Sequence, residues 1–226
     1  SIYYVSVRAV NSWNQVSLPM ASSGVTVSRP VVSIAEAKGL ADGTPVCISL
    51  SGVSASFPTA FYIQDASRAS GIRVESSAGP APNDAVQVYG RLGLVGGCER
   101  ALLDCMVVPG AFGDPVEPLL MNLRWIGGES FGSYTPGITG GAGLNNVGLL
   151  VTVAGKVTAL TSDGFYLDDG SVLRDDSASV GIKVWTGAGN SASVDQTVIV
   201  TGVVSCRAGA GGAVYPVILA RDILPR

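Results

Sequence analysis

The chain has no histidine, and only 14% of its 226 residues are charged, 14 Lys and Arg against 17 Asp and Glu. Without histidine neither a Ser–His–Asp nor a Cys–His arrangement can exist, so acid–base work would fall to carboxylates, Lys or Tyr. The carboxylates lie mostly in turns and carry no catalytic motif, although Asp42, Asp84 and Glu99 could be imagined in any role. The expectation is a protein that is not an enzyme, with no catalytic residue. A net charge of −3 leaves no basic excess to release counterions from phosphates, which disfavours general nucleic-acid binding. No apolar run approaches the roughly 20 residues needed to cross a bilayer, so no membrane insertion is expected. No charged n-region with an apolar h-region opens the chain, which reads as soluble and already processed, or as a fragment. The four cysteines, Cys47, Cys98, Cys105 and Cys206, contain no CxxC pair and have no histidine partners, so no thiolate metal site is expected.

What is present points to strands. Thirty Gly, 12 Pro and 47% hydrophobic residues suit many short strands joined by turns, hence an all-β protein. The length allows one large domain or two small ones, each half long enough for its own core. An even cysteine count in a lightly charged chain favours disulfides and an oxidising, extracellular or cell-surface setting. If Cys98 and Cys105 share a strand, their spacing puts them on opposite faces and too far apart to bond. Cys47 then pairs with Cys105 or Cys206; Cys47–Cys105 is preferred, with Cys98–Cys206 tying the halves.

An internal repeat organises the chain. Gly52-Val53-Ser54-Ala55, Phe61-Tyr62-Ile63-Gln64-Asp65, Gly71-Ile72-Arg73-Val74 and Val86-Gln87-Val88-Tyr89-Gly90 recur as Gly155-Lys156-Val157-Thr158-Ala159, Phe165-Tyr166-Leu167-Asp168-Asp169, Gly181-Ile182-Lys183-Val184 and Val198-Ile199-Val200-Thr201-Gly202. From Phe to the Gly of the third strand the copies differ by six residues, carried in the second as a polar, acidic loop. A last strand closes each copy, at 101–107 and 213–219. Five alternating strands per copy, with Gly at the bend of the first, predict two tandem five-stranded barrels of the OB type. Ahead of the first copy, Ser33 and Glu36 stand at capping-box spacing and Gly39 can end a short helix. Residues 109–146 are rich in Gly and Pro but also hold Leu119, Leu120, Met121, Leu123, Trp125, Ile126, Phe131 and Tyr134, too apolar for a solvated linker; an ordered connection along both barrels is expected. The predicted domains are therefore a strand segment over 1–28, barrels over 31–108 and 147–226, and the linker between them.

The "SIAEAKGLADGTPV…FYIQD…GIRV" run resembles OB-fold modules of secreted bacterial proteins, including accessory modules of extracellular nucleases, over roughly residues 31–108. "GLNNVGLLVTVAGKVTA…FYLDDGS…GIKV" resembles a degenerate partner. The "YYVSVRAVN" and "SSGVTV" phrases resemble the last two strands of a fibronectin type III domain, over the first 28 residues or so. A lone hairpin is marginal in water, so this segment is expected to need a partner surface.

Two groups of residues are candidate sites. Asp168, Asp169, Asp175 and Asp176, with Asp163 across the hairpin, place four carboxylates within nine residues against Arg174 alone. Such a loop can offer oxygens to Ca²⁺, or it can be a pair of solvated turns in which Asp caps its own backbone; mutual repulsion tips the expectation toward a cation. OB barrels bind ligands on strands two and three, where the candidates are Tyr62 and Arg73 in one copy and Tyr166, Lys183 and Trp185 in the other. Strand alternation sends one of each Phe–Tyr pair into the core, leaving one exposed aromatic per copy. Two functions follow as expectations. One is an extracellular structural subunit that polymerises with copies of itself, head to tail, through the strand bearing Tyr3, Val5 and Val7, with calcium stiffening a fibre. The other is a carbohydrate- or single-stranded nucleic-acid-binding accessory module of a secreted enzyme.

Overall fold

The computed structural model describes residues 2–26, 30–77, 79–112, 114–187, 189 and 192–226, with residues 2, 3, 25, 26, 111 and 112 described by backbone alone. Their elements are strands, one short helix and two 3₁₀ turns. The chain divides at Pro30 into two compact units.

The first unit is one antiparallel ribbon. Strands β1 (Ile2–Tyr3), β2 (Ser6–Val7), β3 (Met20–Ala21) and β4 (Val25–Thr26) pair β1 with β4 and β2 with β3, and a Val10–Val16 bridge continues the ladder to the turn. Asn11 shapes that turn, its Oδ1 accepting from the Trp13 and Gln15 amides. Tyr4, Val5, Val7, Val10, Trp13, Val16, Leu18 and Met20 are all exposed, so the described apolar side chains of the ribbon form no core. The Tyr3 side chain, and Val27 at the end of the predicted second strand, lie outside the described residues.

In the second unit, β5 (Val31–Val32) leads into α1 (Ile34–Lys38). The capping box is present: Ser33 Oγ accepts from the Glu36 amide, and the Glu36 carboxylate accepts from the Ser33 amide at 2.8 Å. Strands β6 (Pro45–Ser56), β7 (Ala60–Gln64), β8 (Gly71–Glu75), β9 (Asp84–Val95) and β10 (Glu99–Phe112) pair in the order β6-β7-β8-β10-β9, and β9 returns to β6. That return closes a five-stranded barrel, all antiparallel except β8 on β10. Alternation fills it: Val46 and Ile48, Phe61 and Ile63, Ile72 and Val74, Val86 and Val88 point inward, while Ile34 and Ala37 of α1 cover one end. The last strand runs to Phe112, beyond the predicted boundary at 108.

A second sheet repeats this order of pairing. After β11 (Leu119–Leu120) and a 3₁₀ turn (Leu123–Trp125) come β12 (Leu150–Thr161), β13 (Gly164–Asp168), β14 (Ile182–Trp185), β15 (Thr197–Ala208) and β16 (Val214–Pro225). They pair β12-β13-β14-β16-β15, with β15 also on β12 and β14 parallel to β16. The correspondence extends to detail. The first strand of each sheet bulges at the same place, at Ser54 and at Thr158; the Ser54 hydroxyl donates to the Tyr62 carbonyl on the partner strand, and the Thr158 hydroxyl, close to the Tyr166 carbonyl, donates to that of Val180.

Residues 109–112 finish β10, and residues 114–147 are more than a linker. β11 lies parallel on β12 as β5 lies on β6, and Leu123, Ile126, Ile138 and Val147 are buried in the second core. The segment thus covers the second sheet as α1 covers the first. It also grips the first: Thr135 Oγ1 donates to the Lys38 carbonyl at 2.7 Å, and buried Lys38 Nζ donates to the Val147 carbonyl at 2.8 Å. Gly148 and Gly71 cross so closely that a Cβ on Gly148 would sit 2.4 Å from the Gly71 carbonyl oxygen. Between the sheets, Ala55, Tyr62, Leu150 and Val203 form a third buried cluster, and Gln64 Oε1 accepts from the Leu150 amide at 3.0 Å.

Candidate functional site

Strand alternation builds the site. In β7 and β8, Phe61, Ile63, Ile72 and Val74 enter the core, so Tyr62 and Arg73, which face each other in register, share the outer surface. In β13 and β14 the register sets Tyr166 opposite Lys183 and Gly164 opposite Trp185. The first of these outer faces looks onto the second sheet, and between them lies a cleft of about 680 Å³. Tyr62, Arg73, Lys183 and Trp185 all line it, with Phe57, Glu99, Ser205 and Arg207. Four of the five sequence-predicted ligand-face residues therefore converge; Tyr166 is not among the lining residues.

Two features define the cleft chemically. One is a series of aromatic rings: Phe57 meets Tyr62 edge-on at 6.0 Å and Trp185 at 6.1 Å, so the rings run from one sheet to the other. The other is a buried polar network. Tyr62 Oη donates to Glu99 Oε1 at 2.8 Å, while Ser205 Oγ at 2.9 Å and Arg73 Nη1 at 3.1 Å reach Glu99 Oε2. Arg73 also pairs with Glu75. Burial pushes the Glu99 carboxyl up, and the Arg73 charge with the Tyr62 and Ser205 hydroxyls opposes it. The other cations are likewise engaged: Lys183 Nζ sits 2.9 Å from Asp163, and Arg207 contacts both Asp175 and Asp176.

The predicted exposure of one aromatic per copy is corrected. Tyr62 is fully buried because the second sheet packs on it, and Tyr166 is buried with its hydroxyl on Asp175 at 2.8 Å. Sequence reasoning gave Glu99 no particular role and missed Phe57, Glu75, Ser205 and Arg207. The one local signal at Glu99 was a charged pair, Glu99-Arg100, opening a strand; both prove buried.

The acidic loop does not gather into a cage. Asp168 Oδ1 accepts from the Val172 amide, Asp169 from the Ser171 and Leu123 amides, Asp175 from Tyr166, Arg207 and the Ser177 amide, and Asp163 from Lys183 and Thr161. Among the described residues no group of three or more Asp, Glu, Cys or His is placed to hold a metal. Backbone amides and two cations offset part of the repulsion among these carboxylates.

All four cysteines are thiols in this structure. Cys47 lies between Val46 and Ile48, which point into the barrel, while Cys105 packs against that same core, so these two occupy opposite sides of the wall. Cys98 and Cys206 both line the cleft. Comparisons with protein-family models, with curated proteins and with solved structures found no match.

Proposed function

We propose that the chain is a non-catalytic binding module in which two OB-type barrels hold a neutral, carbohydrate-class ligand in the cleft between them. Support for the OB assignment is the shared strand order, first-second-third-fifth-fourth, and the use of strands two and three as the outward face. The observation that carries the ligand class is the pair of Phe57 and Trp185, backed by buried Tyr62, beside cations that already have carboxylate partners. A nucleic acid would need unpaired Lys and Arg to displace its counterions. A sugar needs an aromatic face for its C–H surface and polar side chains for its hydroxyls, and Trp185, Arg73 and Lys183 provide both. The cleft volume falls in the range of small-molecule sites, about 300–1,000 Å³. The even cysteine count and low charge support an extracellular setting.

Titration of the full chain with neutral oligosaccharides and with oligo-dT, read by tryptophan fluorescence and calorimetry, tests this. Saturable binding of an oligosaccharide is expected, weakened roughly tenfold or more by Trp185→Ala. Saturable, salt-sensitive binding of oligo-dT would overturn the carbohydrate class, and no binding by either would overturn the module reading.

A second reading has its own observation. The N-terminal ribbon carries eight large exposed apolar side chains, and a structural subunit assembling with copies of itself would cover them. Against strand donation, closure of the first barrel gives each of its five strands partners on both sides. Sedimentation and electron microscopy decide: concentration-dependent filaments abolished by Val5→Lys with Val7→Lys would establish assembly, and monodisperse monomers at high concentration would end it.

A further inference from the structure

We propose that Cys98 and Cys206 form a disulfide that joins the two sheets at the cleft. Cys98 ends the turn between β9 and β10, and Cys206 lies near the end of β15; both line the same cavity. Their chain neighbours fix the two backbones side by side, since Ser205 Oγ donates to Glu99 Oε2 at 2.9 Å. That contact brings the two strand ends together at the interface, and there a side-chain hydrogen bond joins the two sulfurs, although Cys206, alternating with Ser205, also packs against the second core. The sulfurs also divide their roles. Cys206 donates toward Cys98 and, with the Ala208 amide, favours the Cys98 thiolate against its desolvation, whereas that contact and burial hold Cys206 protonated.

Other uses of this dithiol fit less well. Two sulfurs without histidine are too few for zinc, and the Glu99 oxygens already accept from Tyr62, Ser205 and Arg73. Cys47 and Cys105 lie on opposite sides of the barrel wall and offer no competing pair.

The chemistry is thiol–disulfide exchange with a small disulfide such as oxidised glutathione. The Cys98 thiolate displaces one glutathione thiolate and leaves a mixed disulfide. Cys206 then gives up its proton, its sulfur attacks Cys98 Sγ, and the second glutathione leaves. Two protein thiols lose two electrons and two protons, and one oxidised glutathione becomes two reduced ones. The bond spans 108 positions of sequence and so restricts the unfolded chain strongly. It does not depend on what the cleft binds.

The test uses the full chain, folded, in oxidised or in reduced glutathione, then alkylated and digested with trypsin. In the oxidised sample two of four thiols resist alkylation, and residues 92–100 appear linked to residues 184–207, releasable by dithiothreitol. The melting temperature rises by about 10 °C on oxidation. The double variant Cys98→Ser, Cys206→Ser melts with the reduced wild type and shows no such rise. Four alkylatable thiols in the oxidised folded protein overturn the proposal, as does a link from either cysteine to Cys47 or Cys105. Should the double variant fail to fold, the linked wild-type peptide still decides.

Discussion

Asp175 is the most heavily held carboxylate of the acidic loop, and its worth to the fold is measurable through pH. Tyr166 Oη donates to its Oδ2 at 2.8 Å, Arg207 Nη2 at 2.6 Å, and the Ser177 amide to Oδ1 at 2.8 Å. Desolvation alone would raise its pKa; the donors from Ser177, Arg207 and Tyr166 outweigh it and hold the carboxyl at about 2, against an ordinary 3.8. Because the folded value lies below the unfolded one, the stabilisation is complete above about 3.8 and is lost as pH falls through about 2. At about 1.36 kcal/mol per pH unit the gap is worth at most ~2.4 kcal/mol. The side chain is 8% exposed, so solvent screening trims this only modestly, to about 2 kcal/mol. Asp175→Asn keeps the shape and removes the charge. Urea unfolding followed by circular dichroism at pH 7, 5, 3.5 and 2 should place the variant about 2 kcal/mol below the wild type at neutral pH, the difference closing toward pH 2. Asp163 and Asp169 are also lowered, but they are common to both proteins and cancel in the comparison. A gap that stays constant through the acid range, or none at pH 7, would refute the reasoning.

Three further outcomes are expected. Arg73→Ala removes the charge partner of buried Glu99 and should cost about 3–5 kcal/mol in urea unfolding; adding Glu99→Gln should recover part of it. The single variant should also gain stability as pH falls, since burial raises the Glu99 pKa and protonation then favours the folded state; an equal cost with and without Glu99→Gln would show that the pair is not coupled. Gly148→Ala sets a Cβ against the Gly71 backbone at φ +97° and should lower stability by more than about 2 kcal/mol, whereas Gly140→Ala, at φ +71° in open space, should cost about 1; equal effects would deny the close crossing. Excess EDTA, or added Ca²⁺, should leave the melting temperature unmoved, and a rise of several degrees with Ca²⁺ would reinstate the acidic loop as a cation site.

How much the sequence disclosed follows from the range of each interaction. The strands around Phe61 and Phe165 were legible because period-two alternation is local, and the capping box of α1 because Ser33 and Glu36 stand three residues apart. The role of residues 119–149 as a cover for the second core was not, because a two-residue strand and a 3₁₀ turn leave no hydrophobic period to read. Buried Tyr62 and Glu99 were not legible either. Tyr62 looked like a solvent-facing strand residue, and only the second sheet, more than 80 positions later in the chain, removes it from water.

The two copies diverge in what covers the same outer face. In the first, Tyr62 donates to Glu99, which Arg73 neutralises, and the covering wall is the second sheet, through Ser205 and Val203. In the second, Tyr166 donates to Asp175, which Arg207 neutralises, and the cover is the acidic loop of the same copy. Each tyrosine ends on a carboxylate–arginine pair, yet the carboxylates come from unrelated positions: the start of the fifth strand in one, the loop before the third in the other. The extra six residues of the second copy therefore do for its face what the whole second sheet does for the first. This asymmetry gives a tandem pair one inter-sheet cleft where a repeat of identical surfaces would present two open ones. It also explains why Lys183 and Trp185, at the edge of the self-covered face, remain at that cleft while Tyr166 beside them does not.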